Sequence, residues 1–186
     1  YKRQDEIAGC ASAVGAAFAG ALAVTTTSGP GVCLKSEAMN LAVIGELPLV
    51  IVNVQRGGPG LGSIQPAQSD YYQATHAMGH GDFHIFVFAP SSVQEMVDMI
   101  TLAFDKADQY RMPAMILADG LLGQMMEPVT FPEPMKNLPD KSSWATNGHK
   151  KQRTHHIINS LFLDPEQLEQ KVKERFERYA VCLLYT

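Results

Sequence analysis

The stretch TTTSGPGVCLKSEAMNLAVIGELPLVIVNVQRGGPGLG, running from Thr25 to Gly62, constrains the fold more than any other. It reads as a short strand, a glycine turn, a helix, a β-branched strand and a second glycine-rich loop headed by Arg56. Leu22 to Thr26 and Leu49 to Val54 are apolar runs of the kind that become parallel strands covered on both faces. A helix between two such runs makes a crossover. Both loops then leave the sheet at the carboxyl ends of strands, where open α/β sheets bind ligands. Gly29 and Gly31 flank Pro30, and Gly57, Gly58, Gly60 and Gly62 crowd the second turn. Residues without a Cβ accept positive φ and let a ligand approach the backbone. Either loop alone reads equally well as a tight turn; two of them around one helix point to a binding cleft.

The flanking sequence extends the same alternation. Glu6 to Gly20, rich in Ala and Gly, predicts a closely packed helix ended by Gly20. Glu6 stands in its first turn, where the helix dipole stabilises an anion by about 0.3–1 kcal/mol, and that alone can account for it. Val32 to Glu46 is the crossover helix, with Leu34, Ala38, Leu41, Ala42 and Gly45 on its apolar side. Gln68 to Thr75 is a short helix and Ile85 to Ala89 a strand. Ser92-x-x-Glu95 is a capping box that opens a helix with the stripe Val93, Met96, Val97, Ile100, Ala103, Phe104 and Ala107, the methionines filling core gaps. Ala114 to Ala118 is the next strand, ending at Asp119-Gly120. The expected fold class is α/β, a parallel sheet with helices on both faces. With 46% apolar residues in 186, there is core for one domain. That domain covers 5–127. Pro128, Pro132, Pro134 and Pro139 mark a Pro-rich linker over 128–163. Asp164-Pro165-Glu166-Gln167 then caps a helix over 164–181, whose narrow stripe of Leu168, Val172, Phe176 and Tyr179 is expected to lead to, and dock on, a domain beyond.

Both ends read as additions. Residues 1–4 and 182–186 could be encoded by the two strands of a transposon end used to prepare sequencing libraries, so they are expected to be adapter translation around a natural segment from Asp5 to Val181. A net charge of -4, without a basic cluster interleaved with aromatics, argues against nucleic acid or an anionic membrane as partner. No apolar run is long enough to span a bilayer and none reads as a signal peptide, so the expected location is cytoplasmic.

Cys10, Cys33 and Cys182 form no C-x-x-C pair, which leaves no zinc knuckle, iron–sulfur ligand set or disulfide framework. Cys10 and Cys33 are expected to be small buried hydrophobes. His76, His80 and His84 recur every four residues, as a metal-binding helix face would, but Gly79 and Gly81 break that helix. His80-Gly81-Asp82 reads as a loop at the edge of the site. Walker, G-x-G-x-x-G and G-x-S-x-G signatures are absent. A carboxylate at a helix start, an arginine at a strand end and a glycine-lined cleft between them suit a small anion.

EIAGCASAVGA, TTTSGPGVCLKSE, VNVQRGGPGLG, HGD, APSSVQEM and ILADG, in this order, resemble the alpha subunit of the 2-oxoacid:ferredoxin oxidoreductases over nearly all of Asp5 to Ala180. QRGGPGLG followed by IQPAQSDYYQAT is most similar to the 2-oxoisovalerate, or branched-chain, type. The 2-oxoglutarate type more often carries Ser-Thr-Gly after Gly-Gly-Pro. The resemblance implies a pyrimidine-binding domain of a thiamine-diphosphate enzyme that oxidatively decarboxylates a 2-oxo acid to acyl-CoA and reduces ferredoxin.

Glu6 matches the glutamate that hydrogen-bonds the aminopyrimidine ring and so favours formation of the ylide. Arg56 matches the arginine that holds the substrate carboxylate through paired donors; a structural salt bridge across its loop is the other reading. Ser28, Gly29, Pro30, Gly31, Gly57 and Gly58 are expected to wall the cofactor cleft. By the resemblance, the family's threonine-bearing loop before Glu6 is expected to be cut off from this segment. Magnesium and the iron–sulfur cluster are expected in partner chains, a beta subunit and a small ferredoxin-like subunit, so this chain alone is expected to be inactive and to bind no metal. Another 2-oxo acid, such as 2-oxoglutarate or an aryl pyruvate, or a binding and assembly module on the same fold, are the alternatives.

Overall fold

A computed structural model describes residues 5–133 and 138–183. Strands β1 (Val24–Thr27), β2 (Val50–Gln55), β3 (Phe86–Phe88) and β4 (Ala114–Asp119) form one sheet in the order β1-β2-β4-β3, with every neighbouring pair parallel. Helix α1 (Glu6–Phe18) leads into β1, helices α2 (Pro30–Ile44), α3 (Tyr71–His76) and α4 (Val93–Tyr110) make the connections between strands, and α5 (Pro165–Leu183) closes the described chain.

Successive strand residues face opposite sides of a sheet, and that alternation sorts the core. Leu49, Ile51, Met115 and Leu117 pack with Cys10 and Val14 of α1 and with Val32 and Met39 of α2. Val50, Val52, Ala114, Ile116 and Ala118 pack on the other face with Ala103 and Ala107 of α4. Helices therefore cover both faces, as expected. Fully burying a Leu, Ile or Met contributes about 1.5–3 kcal/mol, so the central pair β2 and β4 anchors the sheet.

Each helix start has its own local cause. The Asp5 carboxylate accepts the Ala8 N–H at 2.6 Å and caps α1. No side chain caps α2; Gly29 turns the chain at φ 53 and Pro30 takes the first helical position, which its ring pre-sets. At α4, Ser92 Oγ accepts the Glu95 N–H at 3.1 Å, while Glu95 reaches back to the Ser91 N–H at 2.7 Å and its hydroxyl at 2.8 Å. The return contact of the capping box falls one residue earlier than the motif implies.

Three expectations need correction. The buried side of α2 carries Val32, Lys35, Met39, Ala42 and Val43, whereas Leu34 and Leu41 are exposed. The helix turns Gly31 and Lys35, rather than its leucines, towards α1 and β1. Cys33 is exposed, with Gln73 Nε2 donating to its sulfur at 3.1 Å. The segment expected as a linker is partly packed. Ala145 is fully buried, Lys141 pairs with Asp108 at 2.7 Å, and the Thr146 N–H and hydroxyl both donate to Phe18 O, satisfying a carbonyl at the end of α1.

The docking surface expected elsewhere for the last helix is partly supplied here. Tyr179 and Cys182 of α5 are buried against Met112, and Arg178 reaches Glu46 at 2.7 Å. Leu168 and Phe176 remain exposed. Residues 1–4 and 184–186 of the expected adapter stretches, and Pro134 of the linker, lie outside the described residues.

Candidate functional site

In the β1–β2 register Thr27 pairs with Asn53, so the loops that follow the two strands emerge at one edge of the sheet. A cleft of about 980 Å³ opens there, walled by the start of α1, the first loop and the Arg56 loop. Glu6, Ser28, Pro30, Gly31 and Arg56 line it.

Gly31 is where three elements meet. A Cβ at this position would overlap Thr27 Oγ1 and lie 3.0 Å from Glu6 Cγ and 3.3 Å from Glu6 Oε1. The missing side chain is the space that Glu6 and Thr27 share. Gly29, at φ 53, lies in the left-handed region, and a Cβ there would come within 3.3 Å of Arg56 Nε. The arm of Arg56 thus rests on the first loop, which joins the two loops into one wall.

Among the described residues the buried Arg56 Nε has no hydrogen-bond partner and Arg56 makes no ion pair. Leaving a buried donor unsatisfied costs about 1–3 kcal/mol. The salt-bridge reading of Arg56 therefore has no acid to rest on among those residues. A planar guanidinium with unused donors is suited to a ligand carboxylate.

The loop carrying Arg56 is held from beneath. The Asp70 N–H donates to Gln55 Oε1 at 2.9 Å, the Gly57 N–H to Gln65 O at 3.0 Å, and the Ser63 N–H to Gly57 O at 2.7 Å. Gln68 Nε2 donates to Asp119 Oδ2 at 2.8 Å, and the Leu122 N–H to Asp119 Oδ1 at 2.9 Å. The Gln68 contact, followed by the backbone donors, holds the Asp119 carboxyl below the ordinary aspartate range. Gly57 and Gly58 belong to this turn and stand outside the cleft lining, whereas Leu61 of the same loop is part of it.

Sequence reasoning missed Lys35. This α2 residue is 2% exposed, lines the cleft and donates from Nζ to Thr25 Oγ1 at 2.6 Å. Burial pushes its amine down from the ordinary lysine range, opposed by Cys10, Glu6 and Asp5. The available signal was its spacing, four residues after Gly31 on the same helix face.

The His80-Gly81-Asp82 loop does not border this cleft. With His76 and His84 it lines a separate cavity of about 770 Å³ beside β3 and α5. His76 stacks on Tyr72 at 5.1 Å, and His84 meets Tyr179 edge-on at 5.2 Å. Among the described residues no three His, Cys, Asp or Glu side chains are grouped to hold a metal, and no helix is long and apolar enough to cross a membrane.

Residues 1–180 match the family model for pyruvate flavodoxin/ferredoxin oxidoreductase, thiamine diphosphate-binding. A ketoisovalerate oxidoreductase subunit VorB of Methanothermobacter thermautotrophicus is 47% identical over 167 residues, covering 89% of this chain and 47% of that protein. The 2-oxoglutarate synthase subunit KorA of the same organism is 43% identical over 134 residues, 72% of this chain and 35% of its own length. Among solved structures, a 2-oxoglutarate:ferredoxin oxidoreductase from Magnetococcus marinus, with 2-oxoglutarate, coenzyme A and succinyl-CoA bound, superposes with a TM-score of 0.79 at 26% identity. That match covers 100% of this chain and 37% of that one. The chain spans less than half the length of these relatives.

Proposed function

The chain belongs to the thiamine-diphosphate-binding family of the pyruvate flavodoxin/ferredoxin oxidoreductases, and from that premise we propose that it is part of an enzyme subunit that oxidatively decarboxylates 2-oxoisovalerate to its acyl-CoA and CO2 with reduction of ferredoxin. The observation that carries this reading is that Glu6 and a partly buried Arg56, without a partner among the described residues, face one glycine-opened cleft. When bound, thiamine diphosphate supplies the nucleophilic carbon and accepts the electron pair released with CO2.

The residues of this chain bind and orient. Glu6 offers a carboxyl oxygen to a ring nitrogen and holds the shared proton there. Gly31 leaves the room in which that carboxyl sits, and Thr27 fills the rest of it. Ser28 and Pro30, which line the cleft, would contact the bound cofactor. Arg56 would clamp the carboxylate of the oxo acid with its paired donors and so orient the substrate in the cleft.

Leu34 and Leu61 line the same cleft. These two leucines, though exposed, offer apolar contact to a branched aliphatic side chain beside the charged residues of the cleft, and the identity to the ketoisovalerate subunit exceeds that to the 2-oxoglutarate subunit. The magnesium ion, the cluster and the diphosphate anchor belong in this reading to partner subunits, with coenzyme A as the acyl acceptor and the cytoplasm as the location. The test is to assemble the full-length subunit with its neighbours and follow viologen or ferredoxin reduction with a panel of 2-oxo acids. Fastest turnover is expected with 2-oxoisovalerate. A clear preference for 2-oxoglutarate overturns the substrate, and inactivity on every acid overturns the catalytic reading in favour of a binding module.

A further inference from the structure

Beneath Glu6 lies a second layer of residues, of which Lys35 and Thr25 line the cleft and Cys10 is fully buried behind it. Glu6 and Cys10 are four apart on α1, Gly31 and Lys35 four apart on α2, and Thr27 and Thr25 two apart on β1. Each pair therefore lies on one face of its element, its members about 6–7 Å apart. The upper members meet one another, since Gly31 touches both Thr27 and Glu6. So do the lower members. Lys35 Nζ donates to Thr25 Oγ1 at 2.6 Å, and Cys10 Sγ lies 3.9 Å from Lys35 O.

The Lys35 ammonium ends on Thr25 Oγ1, in the layer directly below that of Glu6. An ammonium has three donors, yet among the described residues only the Thr25 hydroxyl accepts from this one. The groups facing it are Asp5, Glu6 and Cys10 from α1 and its cap, and the uncharged threonine hydroxyl from β1. A buried cation with unused donors, one layer below a carboxyl in the same cleft, is an expensive feature for a purely structural role.

We propose that Lys35 is a positioning residue for Glu6: its ammonium, held by Thr25, orients the Glu6 carboxyl towards the cofactor ring and sets the pH range over which the cleft takes up thiamine diphosphate. This rests on the proposed function and deepens it. With the ammonium in place the carboxyl has a buried counter-charge beneath it. When the amine loses its proton at alkaline pH that counter-charge disappears, and cofactor affinity falls with it.

The experiment measures thiamine diphosphate binding calorimetrically, from neutral to alkaline pH, in the full-length subunit assembled with its partners. Wild type is expected to lose affinity at a pH below the ordinary lysine range. Lys35→Met is expected to bind about ten-fold more weakly at neutral pH, a difference of about 1.4 kcal/mol, and to show no alkaline fall. Lys35→Arg keeps a cation that does not titrate, so it is expected to retain affinity and also lose the alkaline fall. Thr25→Val removes the acceptor and moves the fall to lower pH.

Wild-type affinity and pH dependence in Lys35→Met would overturn the proposal. If Lys35→Met does not assemble, a wild-type pH profile in both Lys35→Arg and Thr25→Val overturns it equally. If instead wild type binds no thiamine diphosphate, or Glu6→Gln binds it as wild type does, the failure lies with the proposed function and not with Lys35 alone.

Discussion

Replacing Gly31 with alanine separates stability from function at this site. The added Cβ would overlap Thr27 Oγ1 and lie 3.0 Å from Glu6 Cγ. Overpacking a tight site costs about 1–3 kcal/mol, and alanine recovers up to about 1 kcal/mol over glycine in a helix. The net loss is then about 0–2 kcal/mol. At roughly 2–4 °C per kcal/mol for a chain of this size, Tm should fall by no more than about 8 °C.

Function should fall much further. Glu6 must withdraw by a few tenths of an ångström to restore an ordinary contact, and a misplacement of about 1 Å costs on the order of a hundred-fold in rate. A loss of roughly ten-fold in kcat/KM, with weaker cofactor binding, is therefore expected from a protein that still melts cooperatively. Adding Thr27→Ala should relieve the nearest overlap and restore Tm while leaving activity low. Thermal melting and viologen reduction on the assembled complex report the two quantities. Wild-type kcat/KM in Gly31→Ala would refute the reasoning, because it would mean that the Glu6 position does not matter.

Arg56→Lys replaces a fork by a point charge and should raise KM for the oxo acid roughly ten- to hundred-fold, the worth of a lost charge-assisted hydrogen bond; unchanged kinetics would end the clamp assignment. Leu61→Ser should reduce the preference for branched over small 2-oxo acids by about ten-fold, read from kcat/KM ratios, and an unaltered ratio would remove Leu61 from the substrate pocket. The folded Asp119 carboxyl titrates below its unfolded value, so it contributes stability above the unfolded range near pH 4 that is lost as pH falls through the lower folded value. Asp119→Asn should accordingly lower Tm at neutral pH and approach wild type in acid; a constant difference across pH would contradict the Gln68 contact. Tyr179→Ala should release α5 at a cost of roughly 3 kcal/mol, visible as faster amide exchange in α5 while exchange in β2 and β4 is unchanged.

The elements were legible because hydrophobic spacing writes them directly. Leu49 to Val54 and Ala114 to Ala118 have the composition of strands covered on both sides, and both became central strands. Ser92-x-x-Glu95 marked the start of α4 to the residue. The burial side of α2 was not legible, because leucine count suggests a stripe and geometry decides it. Leu34 faces the cleft and Lys35 the interior, since the position four residues after Gly31 is the one that points at α1 and β1. A rule that places charge outside cannot find a lysine whose partner is a threonine on another element. The grouping of Glu6, Gly31 and Arg56 was anticipated as a cleft between two loops, but the contact of Arg56 with Gly29 depends on side-chain direction across 27 positions of chain, on which local spacing is silent.

That contact has a consequence for how the protein can vary. Two separate demands fall on position 29, a left-handed backbone and the bulk of an arginine arm lying on it, and only the first is intrinsic to the turn. The second is imposed from position 56. A side chain at position 29 would strain the positive-φ backbone and also press on the arm, whose Nε lies 3.3 Å from where its Cβ would stand, and the second pressure would ease if residue 56 were short. Substitutions at the two positions are therefore non-additive, and the freedom of the first loop to drift is governed by the residue chosen at the head of the second. Positions 29 and 56 therefore vary as one unit, and a shorter residue at 56 would return latitude to position 29 in the same step.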